Sequence, residues 1–119
     1  MKLETLRAIL LQKPAVTEEV PFGPEVLVFK VKGKMFALVP WQDPAPSISL
    51  KCDPGEALFL RDIYPAIQPG YHLNKRHWNT VTLDGSVPEL ELLRLIDDSY
   101  RLVVKGLPKA EREALLQNL

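Results

Sequence analysis

Val26-Leu27-Val28-Phe29-Lys30-Val31-Lys32-Gly33-Lys34-Met35-Phe36-Ala37-Leu38-Val39 is the stretch that decides the fold class of this chain. Its first half has a period of two: Leu27, Phe29 and Val31 fall on one side of an extended chain, and Val26, Val28, Lys30 and Lys32 on the other. After Lys32-Gly33, Met35, Ala37 and Val39 alternate with Phe36 and Leu38. Two strands joined by a tight turn follow, because Gly33 can take the positive φ that such a turn requires. The apolar side of this hairpin must be covered by other elements.

Working outward, Leu3, Leu6 and Leu10 recur at helical spacing and Pro14 cannot continue a helix, so a helix is expected over residues 2–12. Pro21-Phe22-Gly23-Pro24 reads as a sharp connection, with room for one short edge strand before it. Beyond the hairpin, Trp41 to Pro46 reads as a loop, and Ile48, Leu50 and Cys52 alternate with Ser49 and Lys51 as a third strand whose Cys52 points inward. Asp53-Pro54-Gly55-Glu56 has the composition of a capping box opening a helix that Pro65 ends. Pro69-Gly70 marks another connection, and Trp78, Val81 and Leu83 with intervening threonines predict a further strand ended at Asp84-Gly85. Ser86-Val87-Pro88-Glu89 repeats the capping-box pattern ahead of the stripe Leu93, Ile96, Tyr100, Val103, Val104 and Leu107. Gly106 is placed to end that helix in a left-handed conformation, and Pro108 opens a last short helix with Leu115 and Leu116. The order predicts an α+β fold: one domain over residues 1–119, a mainly antiparallel sheet with helices packed on one face, and N- and C-terminal helices flanking the strands.

With 119 residues, 46% of them hydrophobic and 25% charged, the chain fits one ordinary globular core. Fifteen Lys and Arg balance fifteen Asp and Glu, so attraction to a polyanion has to come from segregated charge. Segregation is present: no acid lies between Glu25 and Asp43, where Lys30, Lys32 and Lys34 cluster, nor between Asp62 and Asp84, where His72, Lys75, Arg76 and His77 cluster. The single Cys52 excludes an internal disulfide and agrees with a reducing compartment. Glu4 and Arg7 interrupt what would be a signal-peptide core, and no apolar run reaches the ~18 residues of a membrane span. The expectation is a cytoplasmic protein without a membrane partner.

The string Asn74-Lys75-Arg76-His77-Trp78-Asn79-Thr80-Val81, preceded by Pro69-Gly70-Tyr71-His72, resembles the signature stretch of the MmcQ/YjbR family. Pro21-Phe22-Gly23, the hairpin from Val28 to Ala37, Leu50-Lys51-Cys52-Asp53-Pro54 and Leu95-Ile96-Asp97-Asp98-Ser99-Tyr100 resemble it in the same order, so the likeness spans nearly the whole chain. The resemblance implies a frataxin-like (CyaY-like) antiparallel sheet with helices on one side. It also implies a function proposed for family members, DNA binding through a double wing of β-hairpins.

On that reading the candidate nucleic-acid-binding residues are Lys32, Lys34, Lys75, Arg76, His77, Trp78 and Asn79. Cations can meet phosphates, an indole can stack on a base, and an amide can read a base edge. Each has a bland alternative: Trp78 as a core aromatic, Asn74 and Asn79 as turn formers, and the lysines as guards against edge-to-edge aggregation. His72 and His77 lack a third converging ligand in sequence, so no metal or other cofactor is expected. The acids expected of a frataxin-like iron surface are too few on the first helix, which has Glu4 alone. Cys52 reads as a small core side chain, and adjacent Asp97 and Asp98 point in different directions on a helix. No enzymatic activity is expected. DNA is the specific candidate partner, with a protein or a small ligand as the alternative.

Overall fold

The computed structural model describes residues 1–42 and 46–117, so the loop expected over Trp41–Pro46 lies partly outside the described residues. The elements run α1 (Leu3–Leu11), β1 (Val16–Glu19), β2 (Val26–Val31), β3 (Lys34–Pro40), β4 (Ser47–Lys51), α2 (Pro54–Ile63), β5 (Ile67–Pro69), β6 (Trp78–Thr82), α3 (Glu89–Lys105) and α4 (Lys109–Leu116). The strands form one six-stranded sheet in the order β1-β2-β3-β4-β6-β5, with every neighbouring pair antiparallel. The fold is α+β with helices at both ends of the chain, as the order of elements predicts.

Both central residues of the Lys32-Gly33 turn have positive φ, 51° and 81°, and the turn joins Val31 directly to Lys34. Two left-handed residues give the turn a twist that matches the flanking strands. One irregularity follows on β3: Phe29 pairs with Ala37 but Lys30 pairs with Met35, leaving Phe36 as the extra residue of a bulge. The strict alternation expected across Met35–Val39 therefore breaks, and Phe36 and Ala37 are both fully buried.

One face of the sheet carries Phe29, Ala37, Val39, Ile48, Leu50, Ile67 and Val81, and these join the helical side chains in a single core. Across them lies α3, presenting Leu92, Leu95, Ile96, Ser99, Tyr100, Val103 and Val104. Each fully buried large apolar side chain contributes about 1.5–3 kcal/mol. Leu93, expected in this stripe, is only half-buried; the buried line runs through Leu92 and takes in Ser99 instead. Tyr100 is wholly buried, meets the edge of the Phe36 ring at 5.4 Å, and donates its hydroxyl to the Pro14 carbonyl at 2.6 Å.

Three terminal details differ from expectation. Asp53 caps α2, accepting from the Gly55 and Glu56 amides, but the Glu56 carboxylate pairs with Arg94 of α3. Pro88 rather than Ser86 stands at the N-cap of α3, because Ser86 is drawn into a turn with Asp84, whose carboxylate accepts from its amide and hydroxyl. Gly106 ends α3 at φ −84°, in the right-handed region, with its amide bonded to Val103. No left-handed residue is needed there, since Pro108 starts α4 at once.

Candidate functional site

The seven residues singled out in the sequence do not share one setting. Lys32 and Lys34 are exposed at the tip of the β2–β3 hairpin. Lys75 and Arg76 are exposed in the connection from Gly70 to His77. The register places that connection at the start of β6, beside the end of β4, and therefore at the same end of the sheet as the hairpin tip. Among the described residues none of these four cations has a carboxylate partner, although the Lys75 ammonium donates to the Gly70 carbonyl at 3.0 Å.

Asn79 does not belong with them. It is 3% exposed on the helical face, accepts from Arg61 Nε at 2.7 Å and donates to the Ala57 carbonyl at 3.3 Å. Arg61, which no motif marks, also donates to the Trp78 and Lys75 carbonyls, so one guanidinium of α2 organises the whole turn before β6. His77 is half-buried and its carbonyl accepts from the Cys52 amide at 2.8 Å, which leaves its role partly structural. Trp78 is half-buried and lies outside the core cluster, on the sheet face opposite the helices. Asn74 forms a turn, its side-chain oxygen accepting from the Arg76 amide at 2.9 Å. Among the described residues no three His, Cys, Asp or Glu side chains converge as metal ligands.

That second face of the sheet holds the feature the sequence did not reveal, a cavity of about 480 Å³ lined by Phe22, Val26, Met35, Leu38, Pro40, Ser47, Ser49, Tyr71, His72, Leu73 and Thr80. Its origin is the pleat. Side chains that alternate with the core set, Leu38, Ser49 and Thr80 among them, are paired across neighbouring strands and point away from the helices. Loops instead of helices wall them in. On one side the Pro21–Gly23 turn brings Phe22; on the other, Tyr71, His72 and Leu73 come from the connection pinned by Arg61 and by the Tyr71 amide, which donates to Thr80 Oγ1 at 3.0 Å. His72 holds a left-handed φ of 59°, and its ring packs 4.0 Å from that of Tyr71. Phe22 and Tyr71, both part of the lining, remain 64% and 70% exposed.

The chain is thus a one-sided α+β domain with a cavity on the helix-free face of its sheet. The family model for YjbR matches residues 11–102, and the chain belongs to that family. It is 44% identical over 110 residues to the uncharacterized protein YbdF of Escherichia coli O157:H7, covering 92% of this chain and 90% of that one. It is 36% identical over 117 residues to the uncharacterized protein YjbR of Escherichia coli K12, covering 98% and 99%. Among solved structures, the crystal structure of Deinococcus radiodurans protein DR2400 superposes with a TM-score of 0.88 at 48% identity, covering 96% of this chain and 87% of that one. A crystal structure from Pseudomonas syringae gives 0.76 at 29% identity, covering 86% and 98%.

Proposed function

We propose that this protein is a non-enzymatic binding module that takes a small, largely apolar molecule into the cavity on the helix-free face of its sheet. The supporting observation is the cavity's size and lining together: about 480 Å³, mainly aliphatic and aromatic walls, and a few hydroxyls. That combination of volume and sparse polar groups is characteristic of small-molecule sites. Titration of the protein with Nile red, a neutral apolar fluorophore, is expected to give a saturable rise in emission. Filling the cavity from its floor with Leu38→Trp, or from its edge with Val26→Trp, should weaken that binding about tenfold or more, equivalent to about 1.4 kcal/mol. Undiminished binding in both variants, each shown folded by its melting curve, would remove the reading.

A second reading, nucleic-acid binding, is favoured by one observation: Lys32, Lys34, Lys75 and Arg76 lie at the same end of the sheet without carboxylate partners among the described residues. Three or four neutralised phosphates would give a log-log salt slope of roughly −3 to −4 for duplex DNA, flattened by about one unit per cation removed. A slope indifferent to charge reversal at Lys75 and Arg76 would exclude this surface.

A further inference from the structure

Ser49 and Thr80 sit opposite each other on β4 and β6, and their hydroxyls are 2.7 Å apart at the wall of the cavity. Ser49 is only 4% exposed, so its hydroxyl is out of reach of bulk water unless the cavity itself is wet. The proton balance of this pair is constrained. Each hydroxyl carries one proton, one of the two protons is shared between the oxygens, and Thr80 Oγ1 already accepts from the Tyr71 amide. If Thr80 donates to Ser49, the Ser49 proton is left over; if Ser49 donates to Thr80, the Thr80 proton is. In either arrangement one donor remains with no protein acceptor among the described residues, on side chains that line the cavity.

The rest of the lining limits what can accept that proton. Among the described residues it contains no Asp, Glu, Lys or Arg, and His72 is its one imidazole. An ionised group held among these apolar walls would lose its hydration without a fixed counter-charge, which costs several kcal/mol. A neutral oxygen acceptor meets the leftover donor without that loss.

We propose, resting on the binding-module reading above, that the cavity selects a neutral, largely apolar molecule carrying a carbonyl or ether oxygen, which accepts a hydrogen bond from the Ser49–Thr80 hydroxyl pair. The Tyr71 amide and the 2.7 Å contact hold the two oxygens in place before the ligand arrives, so only the rotation of a hydroxyl proton is left to order on binding.

The test uses 9-fluorenone and fluorene, which differ by a carbonyl in place of a methylene, in displacement of Nile red from the whole protein. The ratio of fluorenone to fluorene affinity should fall about three- to tenfold in the double variant Ser49→Ala, Thr80→Val, the worth of one neutral hydrogen bond. Loss of the acceptor for the Tyr71 amide acts on both ligands, so the ratio alone is read, and Thr80→Ser, which keeps the hydroxyl, should retain the wild-type ratio. An unchanged ratio in the double variant overturns the proposal while leaving the cavity reading intact. Failure of Nile red, fluorenone and fluorene to bind the wild type removes both. A second measurement needs no variant: the infrared carbonyl band of bound fluorenone should lie at its hydrogen-bonded position, and a band at the hydrocarbon-solution position overturns the proposal.

Discussion

Asn79 and Thr80 are neighbours on β6, yet one serves the core and the other the cavity. Sequence placed Asn79 among residues that could read bases; the pleat turns it toward Arg61, while Thr80 beside it meets Ser49 and the Tyr71 amide. Cys52, by contrast, is legible: it continues the inward face of β4 and is 7% exposed. Burial pushes its thiol up from an ordinary 9.0 to about 11, with Glu56 and Asp53 adding to the shift. A raised thiol pKa means that the folded state holds the proton more tightly than the unfolded one, so the linked stability is complete below pH 9 and lost as pH rises through 11. The stability difference between wild type and Cys52→Ala, from urea melts, should therefore shrink over that window; a difference flat with pH would contradict the burial. Gly70 is a second test at this scale. A Cβ there would stand 2.7 Å from Trp78 Cβ and 3.0 Å from its carbonyl oxygen, where β5 gives way to the cavity wall. Gly70→Ala should cost about 1–3 kcal/mol by overpacking, read in the same melts.

Among the elements, those with a period or a punctuation mark were readable and those held by tertiary partners were not. The β2–β3 hairpin, β4, α1 and α3 all follow from spacing and from Gly33 or Pro14. β5 is three residues long and ends in Pro69, which carries no periodic signal; it exists as an edge strand because Ile67, Gln68 and Pro69 find register against β6. The Phe36 bulge was equally silent, and the side chain that bonds the Phe36 carbonyl lies on α3. Ser99 Oγ donates to the Phe36 carbonyl at 2.6 Å and accepts from the Lys51 amide at 2.9 Å, bridging β3 and β4 just beyond their last paired residues. Ser99→Ala would leave two backbone groups without their partner in a buried setting. A loss of about 2–4 kcal/mol is expected from chemical denaturation, and a loss below about 0.5 kcal/mol would mean that the strands close the gap themselves.

At the scale of the molecule, the one-sided layering predicted from the order of elements is what creates the candidate site. Helices cover one sheet face, and among the described residues the loops that bring Phe22 and Tyr71–Leu73 enclose the alternate set of side chains. Sequence could show the basic clusters, because charge runs along the chain. It could not show the cavity, whose lining comes from separate stretches between Phe22 and Thr80 and whose far wall depends on Arg61. No helix among the described residues is long and apolar enough to cross a membrane. The basic end and the cavity share the Gly70–His77 connection, so both readings of function pass through one segment, and a residue-resolved titration separates them. Amide chemical-shift mapping of the whole protein with 9-fluorenone, and separately with a short DNA duplex at ~50 mM salt, is the most direct measurement. The cavity account predicts that fluorenone moves the signals of Leu38, Ser49, Tyr71, Leu73 and Thr80 in a saturable way. Shifts absent with fluorenone, or gathered on the outer face of α2 away from those five residues, would contradict it.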